Sequence, residues 1–388
     1  VPDHNPEVRA ARQAGVPVIK RQQLLADMMA DRQGIAVAGT HGKTTTSAMI
    51  AMSLARLGLD PTFIVGGIIA ELGANAQAGD GPHFVIEADE YDRMFHGLAP
   101  QMAVVTNIEM DHPDCYRDLD EMREAFGIFL DHVPADGTII ACADSPELRR
   151  VLAARKQGEP RALTYGFSAE ADYVVGDVTP NARGGVDFGV SAESALWAAC
   201  SLGIPGRHNA LNATAALLVG QAIGVEREAL SRALAEFSGV RRRFEIKGEA
   251  QGVLVIDDYA HHPTEIRATL AAAKVRYPGR RIWAVFQPHT YSRTEALLAD
   301  FAAAFGDADR VIVTDIFAAR SKEVATVSAS DIVALSGHTA MRHIASLDQV
   351  ADFLDDQLAE GDVLLTLGAG DGYLIGERFL ASRSRLAP

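Results

Sequence analysis

The sequence predicts an α/β protein made of parallel-rich sheets with crossover helices, and three observations carry that prediction. Short apolar runs rich in β-branched residues alternate with helix-period patterns from one end of the chain to the other. A glycine-rich turn at Gly39–Gly42 joins the first clear strand to the first clear helix. Polar clusters recur directly after apolar runs, at the strand ends where open parallel sheets collect ligands. The 388 residues are 48% hydrophobic and 22% charged, which excludes a disordered, fibrous or coiled-coil chain. That length suits two or three domains of roughly 100–200 residues each.

Residues 1–33 are too few to fold alone. They read as a turn at Asp3-His4-Asn5-Pro6, a helix to Gln13, a strand at Val16–Ile19 and a second helix, the tail of a domain whose body lies elsewhere. Val1 stands where a complete chain has Met, so the sequence reads as a piece of something longer. A first unit spans 34–239. Ile35–Ala38 is a buried strand, and Met49, Met52, Ile50, Leu54 and Leu57 give the next segment helical spacing until Gly58 and Pro61 end it. Strands follow at Phe84–Ile86, Ala103–Val105 and Thr138–Ala141, with a helix over Leu119–His132. The alternation Val186/Phe188/Val190 predicts a short antiparallel excursion within 176–190, and Asn209–Ile223 a helix. A second unit spans 240–388, with strands at Val253–Ile256, Ile282–Phe286, Val311–Val313 and Val363–Leu367 and helices at Pro263–Tyr277 and Leu347–Leu358. This is a Rossmann-like α/β pattern.

Charge and cysteine usage narrow the function. Lys plus Arg total 36 against 51 Asp plus Glu, a net −15, which argues against general affinity for nucleic acid or an anionic membrane while leaving room for a local phosphate pocket. Cys115, Cys142 and Cys200 are too few and too irregular for a disulfide framework or zinc cluster, and fit a reducing compartment. No apolar run approaches the roughly 18–20 residues of a membrane span, and no signal pattern opens the chain. A soluble cytoplasmic protein is expected.

The chemistry sits in the loops. Gly39-Thr40-His41-Gly42-Lys43-Thr44-Thr45 falls where strand becomes helix, so backbone N–H groups and the helix dipole face an anion. Lys43 would reach the outer phosphates and the Thr44 hydroxyl a magnesium ion. Val37 stands where the longer P-loop has its leading glycine, so the match is to a shortened loop that binds ATP or GTP. Glu87 opens the acidic run Glu87–Asp92 after the strand Phe84–Ile86 and is placed to reach a metal on the phosphates; four acids in six residues also suit a solvated loop. His112, in Asp111-His112-Pro113-Asp114, is by hardness a poor magnesium ligand. His208, Asn209 and Asn212 open a helix, where capping and nucleotide contact are equally open. Arg241-Arg242-Arg243 marks the junction of the units, where one arginine could reach a γ-phosphate. Asp257-Asp258-Tyr259-Ala260-His261-His262 and Gln287-Pro288-His289-Thr290-Tyr291-Ser292-Arg293 end two strands of the second unit and can line one crevice. His261 and His262 lack an evident third ligand for zinc. Gly368-Ala369-Gly370-Asp371-Gly372 has Tyr373 where a dinucleotide fingerprint needs its third glycine, and reads as a tight turn.

Taken in order, Gly-Thr-His-Gly-Lys-Thr-Thr, Glu-Ala-Asp-Glu, Thr-Asn with Asp-His, His-Asn-x-x-Asn, Arg-Arg-Phe-Glu and Asp-Asp-Tyr-x-His-His-Pro resemble the Mur ligase family, the ATP-dependent amide-forming enzymes of peptidoglycan synthesis. The resemblance covers nearly the whole chain. It implies three domains: residues 1–33 as the tail of one for the UDP sugar, 34–239 as the ATPase and 240–388 as the amino-acid domain. It further implies that Gly39, Thr40, His41, Gly42, Lys43, Thr44 and Thr45 hold ATP with His208, Asn209, Asn212, Arg243 and Asp258. Thr44, Glu87 and His112 would hold Mg²⁺, and Tyr259, His261, His289 and Arg293 the amino acid and lactyl carboxylate. The run with His289 and Arg293 points to L-alanine joined to UDP-N-acetylmuramate through an acyl phosphate; a tripeptide-recycling activity and a silent ATP-binding fragment are the alternatives. Lys43, His112, Arg243 and His289 would carry the chemistry, with His289 or a metal-bound group taking the amine's proton. The chain departs from the pattern in its short front, in Thr290 where many alanine-adding members have Arg, and in lacking a Lys between Tyr116 and Phe129. Oligomeric state is not readable from the sequence.

Overall fold

The computed structural model describes residues 3–155, 160–319 and 326–384. Two sheets organise them. The larger has its strands in the order Ala195–Ser201, Val186–Ala192, Tyr173–Val175, Arg161–Gly166, Thr138–Cys142, Met102–Val105, Gln33–Ala38, His83–Glu87, Thr62–Ile69, Ala74–Gln77. Pairing is parallel from Tyr173–Val175 through Thr62–Ile69 and antiparallel beyond each end. The central strands are apolar on both faces because both faces are covered. Alternate residues of one strand feed two cores: Ile35 and Val37 pack with Met49, Ile50 and Leu217 from the helices Lys43–Arg56 and Arg207–Ala222. Ala36 and Ala38 pack with Phe126 and Phe129 from Leu119–Asp131. That last helix forms because Met122, Ala125, Phe126, Phe129 and Leu130 share one face, while the Asp118 carboxylate accepts from Glu121 N at its start.

The second sheet runs Glu245–Ala250, Val253–Asp258, Val363–Leu367, Ile282–Phe286, Arg310–Val313, Met341–His343, parallel except for its first pair. Pro263–Arg276 packs Ile266, Leu270 and Ala273 on one face, and Leu347–Gln357 packs Val350 and Leu354 on the other. The chain between the sheets is anchored: Arg241 N donates to Ile68 O (2.8 Å) and Ala70 N to Gly239 O (3.2 Å).

One expectation is corrected. Val16–Ile19 forms no strand, and Val16, Val18 and Ile19 stand largely exposed between the helices Pro6–Gln13 and Arg21–Met29. β-branched residues make a strand only where a ladder partner accepts them, and no described strand lies alongside. The antiparallel excursion reaches further than its alternation indicated, to Ser201. Thr62–Ile69 with Ala74–Gln77 was not legible, because Gly66-Gly67 interrupts its apolar run. Among the described residues no helix is long and apolar enough to cross a membrane.

Candidate functional site

Gln33–Ala38 lies between His83–Glu87 and Met102–Val105, so the loops after these three strands meet at one switch point of the larger sheet. The loop after Gln33–Ala38 needs its glycines. Gly39 has φ 132°, and a Cβ there would strike the Thr106 hydroxyl and lie 3.0 Å from Asn107 N. Gly42 caps the helix Lys43–Arg56 with φ 83°. Asn107 clasps the loop, accepting from His41 N (2.9 Å) and donating to His41 O (3.1 Å). Thr40 Oγ1 accepts from Glu109 N (2.9 Å).

Lys43 turns back onto this loop. Its Nζ donates to Gly39 O (2.6 Å), Thr40 O (3.2 Å) and Glu90 Oε1 (2.8 Å). Glu90 is fully buried, its Oε2 has no hydrogen-bond partner among the described residues, and burial outweighs Lys43 to push its pKa up to about 7. His112 Nε2 is 3.7 Å from the same carboxylate, and burial lowers the His112 pKa so that its ring is neutral. Glu90 is the chief residue that sequence reasoning passed over. It was one acid in a run of four, and only the fold makes it the buried one.

Three cavities open around these loops. The first, about 170 Å³, is lined by His41, Gly42, Thr44, Thr45, His208, Asn209 and Asn212, together with Arg243, Asp258, Thr264 and Glu265 from the second unit. Asn209 does not cap its helix; it sits inside it, donates to Pro205 O (2.7 Å) and accepts from Asn212, which in turn accepts from Thr46 (3.1 Å). Burial holds His208 neutral, with its pKa near 4, and raises Asp258 to about 6 although Phe244 N and Ala260 N both donate to it.

The second cavity, about 670 Å³, is lined by Thr44, Glu87, Asp89, Arg243 and Tyr259 among others, and Glu87 Oε2 accepts from Gly66 N (2.6 Å). The third, about 150 Å³, brings together Tyr259, His261, His289 and Arg293 with His112. Thr44 and Glu87 thus share one cavity while His112 faces the next, and Arg243 lines the first two. Burial lowers the His261 pKa to about 3, leaving a neutral ring.

Two clusters join the units. Arg293 donates to both oxygens of Asp111, Nε at 2.7 Å and Nη2 at 3.2 Å, with both side chains buried. His41 lies between Glu109 (Nε2, 3.3 Å) and Glu265 (Nδ1, 3.4 Å). Thr264 Oγ1 donates to Glu109 Oε2 (2.7 Å), and His262 Nε2 stands 3.3 Å from Met110 O. His262 therefore meets the first unit while its neighbour His261 faces the third cavity. His41, Glu109 and His262 converge, and Thr264 fastens two of them, its hydroxyl donating to Glu109 Oε2 and its N–H to the His262 Nδ1. Asp111, Glu109 and Glu265 carried no sequence signal beyond an acid beside a histidine, an acid in a loop and an acid in a helix's first turn.

Against known proteins, the Mur ligase middle domain matches residues 37–220, and the Mur ligase glutamate ligase domain matches 242–370. UDP-N-acetylmuramate–L-alanine ligase of Caldanaerobacter subterraneus subsp. tengcongensis is 43% identical over 387 residues, covering 99% of this chain and 83% of that protein. The Solibacter usitatus protein of the same name is 44% identical, covering 98% and 80%. Among solved structures, UDP-N-acetylmuramate-alanine ligase of Thermotoga maritima superposes with TM-score 0.83 at 29% identity, over 100% of this chain and 84% of that one. A murein peptide ligase of Psychrobacter arcticus gives 0.71 at 26%, over 100% and 85%.

Proposed function

The chain belongs to the Mur ligase family of ATP-dependent amide-forming ligases, and from that premise we infer that it joins L-alanine to the lactyl carboxylate of UDP-N-acetylmuramate, a step of peptidoglycan synthesis. Its substrates are small molecules. The single observation that carries the reading at the level of the site is Arg243, which lines both the cavity behind the phosphate loop and the wide cavity shared by Thr44, Glu87 and Tyr259. A nucleotide in the first and an acid substrate in the second would both meet its positive charge.

The lactyl carboxylate attacks the γ-phosphorus of ATP, giving an acyl phosphate and ADP. The alanine amine then attacks the acyl carbon, loses a proton and expels phosphate. Lys43 and Arg243 supply positive charge where the transferring phosphoryl group gathers negative charge. With nucleotide bound, Lys43 would exchange the Gly39 and Thr40 carbonyls and Glu90 for phosphate oxygens. His208, Asn209, Asn212 and Asp258 face the rest of the nucleotide. Tyr259, His261, His289 and Arg293 receive the alanine, and the neutral His261 can accept a hydrogen bond from its ammonium. We assign His289 to the amine's proton, since its ring lines that cavity.

The donor chemistry fits Mg²⁺. The Thr44 hydroxyl and Glu87 carboxylate are hard oxygen donors on one cavity, and neutral His112, which faces the next, offers a nitrogen lone pair 3.7 Å from Glu90 Oε1. Bound there, the ion would neutralise phosphate charge. Residues 34–239 would then form the nucleotide domain, 240–388 the amino-acid domain and 1–33 the edge of a sugar-nucleotide domain, in a cytoplasmic enzyme. The test is phosphate release with ATP, Mg²⁺ and UDP-N-acetylmuramate, comparing L-alanine, murein tripeptide and no acceptor. Release that depends on L-alanine is expected; release that depends on the tripeptide instead would transfer the reading to the recycling activity, and none with either would overturn it.

A further inference from the structure

The side chain of His41 is not explained by phosphate binding. Its backbone is fixed by Asn107 and Thr106, so the loop's shape does not need the ring. The ring instead leaves the loop for the interface, where it stands between a carboxylate of its own unit, Glu109, and one of the other unit, Glu265. Each carboxylate is secured separately. Glu109 Oε2 accepts from Thr264 across the interface, and Glu265 Oε2 accepts from His261 N (3.0 Å). Arg243 Nη1 lies 3.5 Å from the Glu265 Oε1. His262, from the same helix start, lies against the His41 ring with centroids 4.4 Å apart. The groups facing His41 are therefore Glu109 from its own unit and Glu265 and His262 from the other. All but His262 line the first cavity with His41, so this contact forms part of the wall around the nucleotide.

We propose that His41 is a positioning residue that couples the phosphate loop to the second unit: as an imidazolium shared by Glu109 and Glu265 it holds the two units closed around the nucleotide, so that the acceptor cavity faces the phosphate loop. It touches no reacting atom and acts through Glu265, which its charge holds in the line of Arg243 and His261. Burial alone would drive the ring neutral, but the two carboxylates win and raise its pKa to about 9. The sign is that of a group gaining partners on closure. The charged bridge is complete below pH 6.5, the ring's ordinary value, and is lost as pH rises through about 9. The proposal rests on the ligase reading above, and its test separates the two.

The experiment compares the parent chain with His41→Gln, His41→Lys, Glu265→Gln and the His41→Gln/Glu265→Gln double variant, by kcat and KM for L-alanine from pH 6.5 to 10. At pH 7 His41→Gln and Glu265→Gln should each lower kcat/KM about tenfold or more, and the double variant should be no worse than the poorer single one. The ratio of parent to His41→Gln should fall toward 1 above pH 9, and His41→Lys should extend the parent's activity to higher pH. A ratio flat across pH, or losses that multiply in the double variant, would overturn the proposal. Spin labels at Leu196→Cys and Leu335→Cys, both exposed and one on each unit, report closure without turnover, in a Cys115→Ser background. With ATP at pH 7 the parent should give one narrow distance and His41→Gln a broad one. If L-alanine drives no phosphate release in the parent, the ligase reading fails on its own, while equal distance distributions in parent and His41→Gln would still refute the bridge.

Discussion

Lys43→Ala should abolish phosphate release, yet its more revealing effect is on stability, because it removes the cation from a buried carboxylate. Lys43 Nζ is 2.8 Å from Glu90, whose side chain is 1% exposed. In the parent, Glu90 ionises in the folded state near pH 7, above its ordinary value of 4.5, so the folded carboxyl is protonated below that pH whether or not Lys43 is present. Above pH 7 the two chains diverge. The parent ionises Glu90 against Lys43, whereas the variant must keep it protonated while the unfolded chain does not, at about 1.4 kcal/mol per pH unit. The deficit attributable to Glu90 is then near zero at pH 6 and about 3 kcal/mol at pH 9. Loss of the two carbonyl hydrogen bonds adds about 1 kcal/mol each, independent of pH. At roughly 2–4 °C per kcal/mol for a unit of this size, the pH-dependent part lowers Tm by about 6–12 °C at pH 9. Calorimetric melting of both chains from pH 6 to 9 measures it. Titration of His41 occurs in both chains and cancels. Lys43→Ala/Glu90→Gln should show the constant offset alone and remain inactive. A Tm difference that does not change between pH 6 and 9 would refute the reasoning.

Three other perturbations address separate parts of the site. Asp111→Asn strands the buried Arg293 guanidinium, a loss of about 3–5 kcal/mol if the units stay closed, and kcat/KM for L-alanine should fall about 100-fold or more; steady-state kinetics within threefold of the parent would count against a working pair. Gly39→Ala places a Cβ against Thr106 at φ 132°, strain of about 1–3 kcal/mol, so calorimetric titration should show ATP binding weakened about 5- to 150-fold. Glu87→Gln should raise the Mg²⁺ concentration for half-maximal phosphate release about tenfold, and an unchanged Mg²⁺ curve would remove Glu87 from the metal's ligands.

Periodicity and glycine placement made most of the fold legible. The strands Ile282–Phe286 and Val363–Leu367 have the bounds their apolar runs indicate, since a strand buried on both faces is apolar at every position. Val16–Ile19 misled for the opposite reason: propensity without a partner strand decides nothing. In the site, local motifs located each loop, and strand-end geometry correctly put Tyr259, His261, His289 and Arg293 on one cavity. What could not be read was pairing between distant segments. Arg293 and Asp111 are 182 positions apart, and nothing in either neighbourhood says that one buries the other. Among the acids Glu87–Asp92, nothing in the run itself marks Glu90 as the one that the turn after His83–Glu87 directs inward.

The ion pairs divide by where their partners lie, and that division sorts their consequences. Lys43 opens a helix and Glu90 lies in a turn at the ends of neighbouring strands of one sheet, so breaking the pair must be felt when that unit melts. Asp111–Arg293 and Glu109–His41–Glu265 cross between sheets, and their charges can regain water if the units part without either core unfolding. Loss of a crossing pair should therefore appear in kcat/KM and in the inter-unit distance, with little change in either unit's melting. This ordering is testable within one set of variants: Asp111→Asn should damage turnover more than Tm, and Glu90→Ala should damage Tm in proportion to turnover. The reverse pattern would mean that the units do not separate at all, and that the crossing pairs are part of a single rigid core.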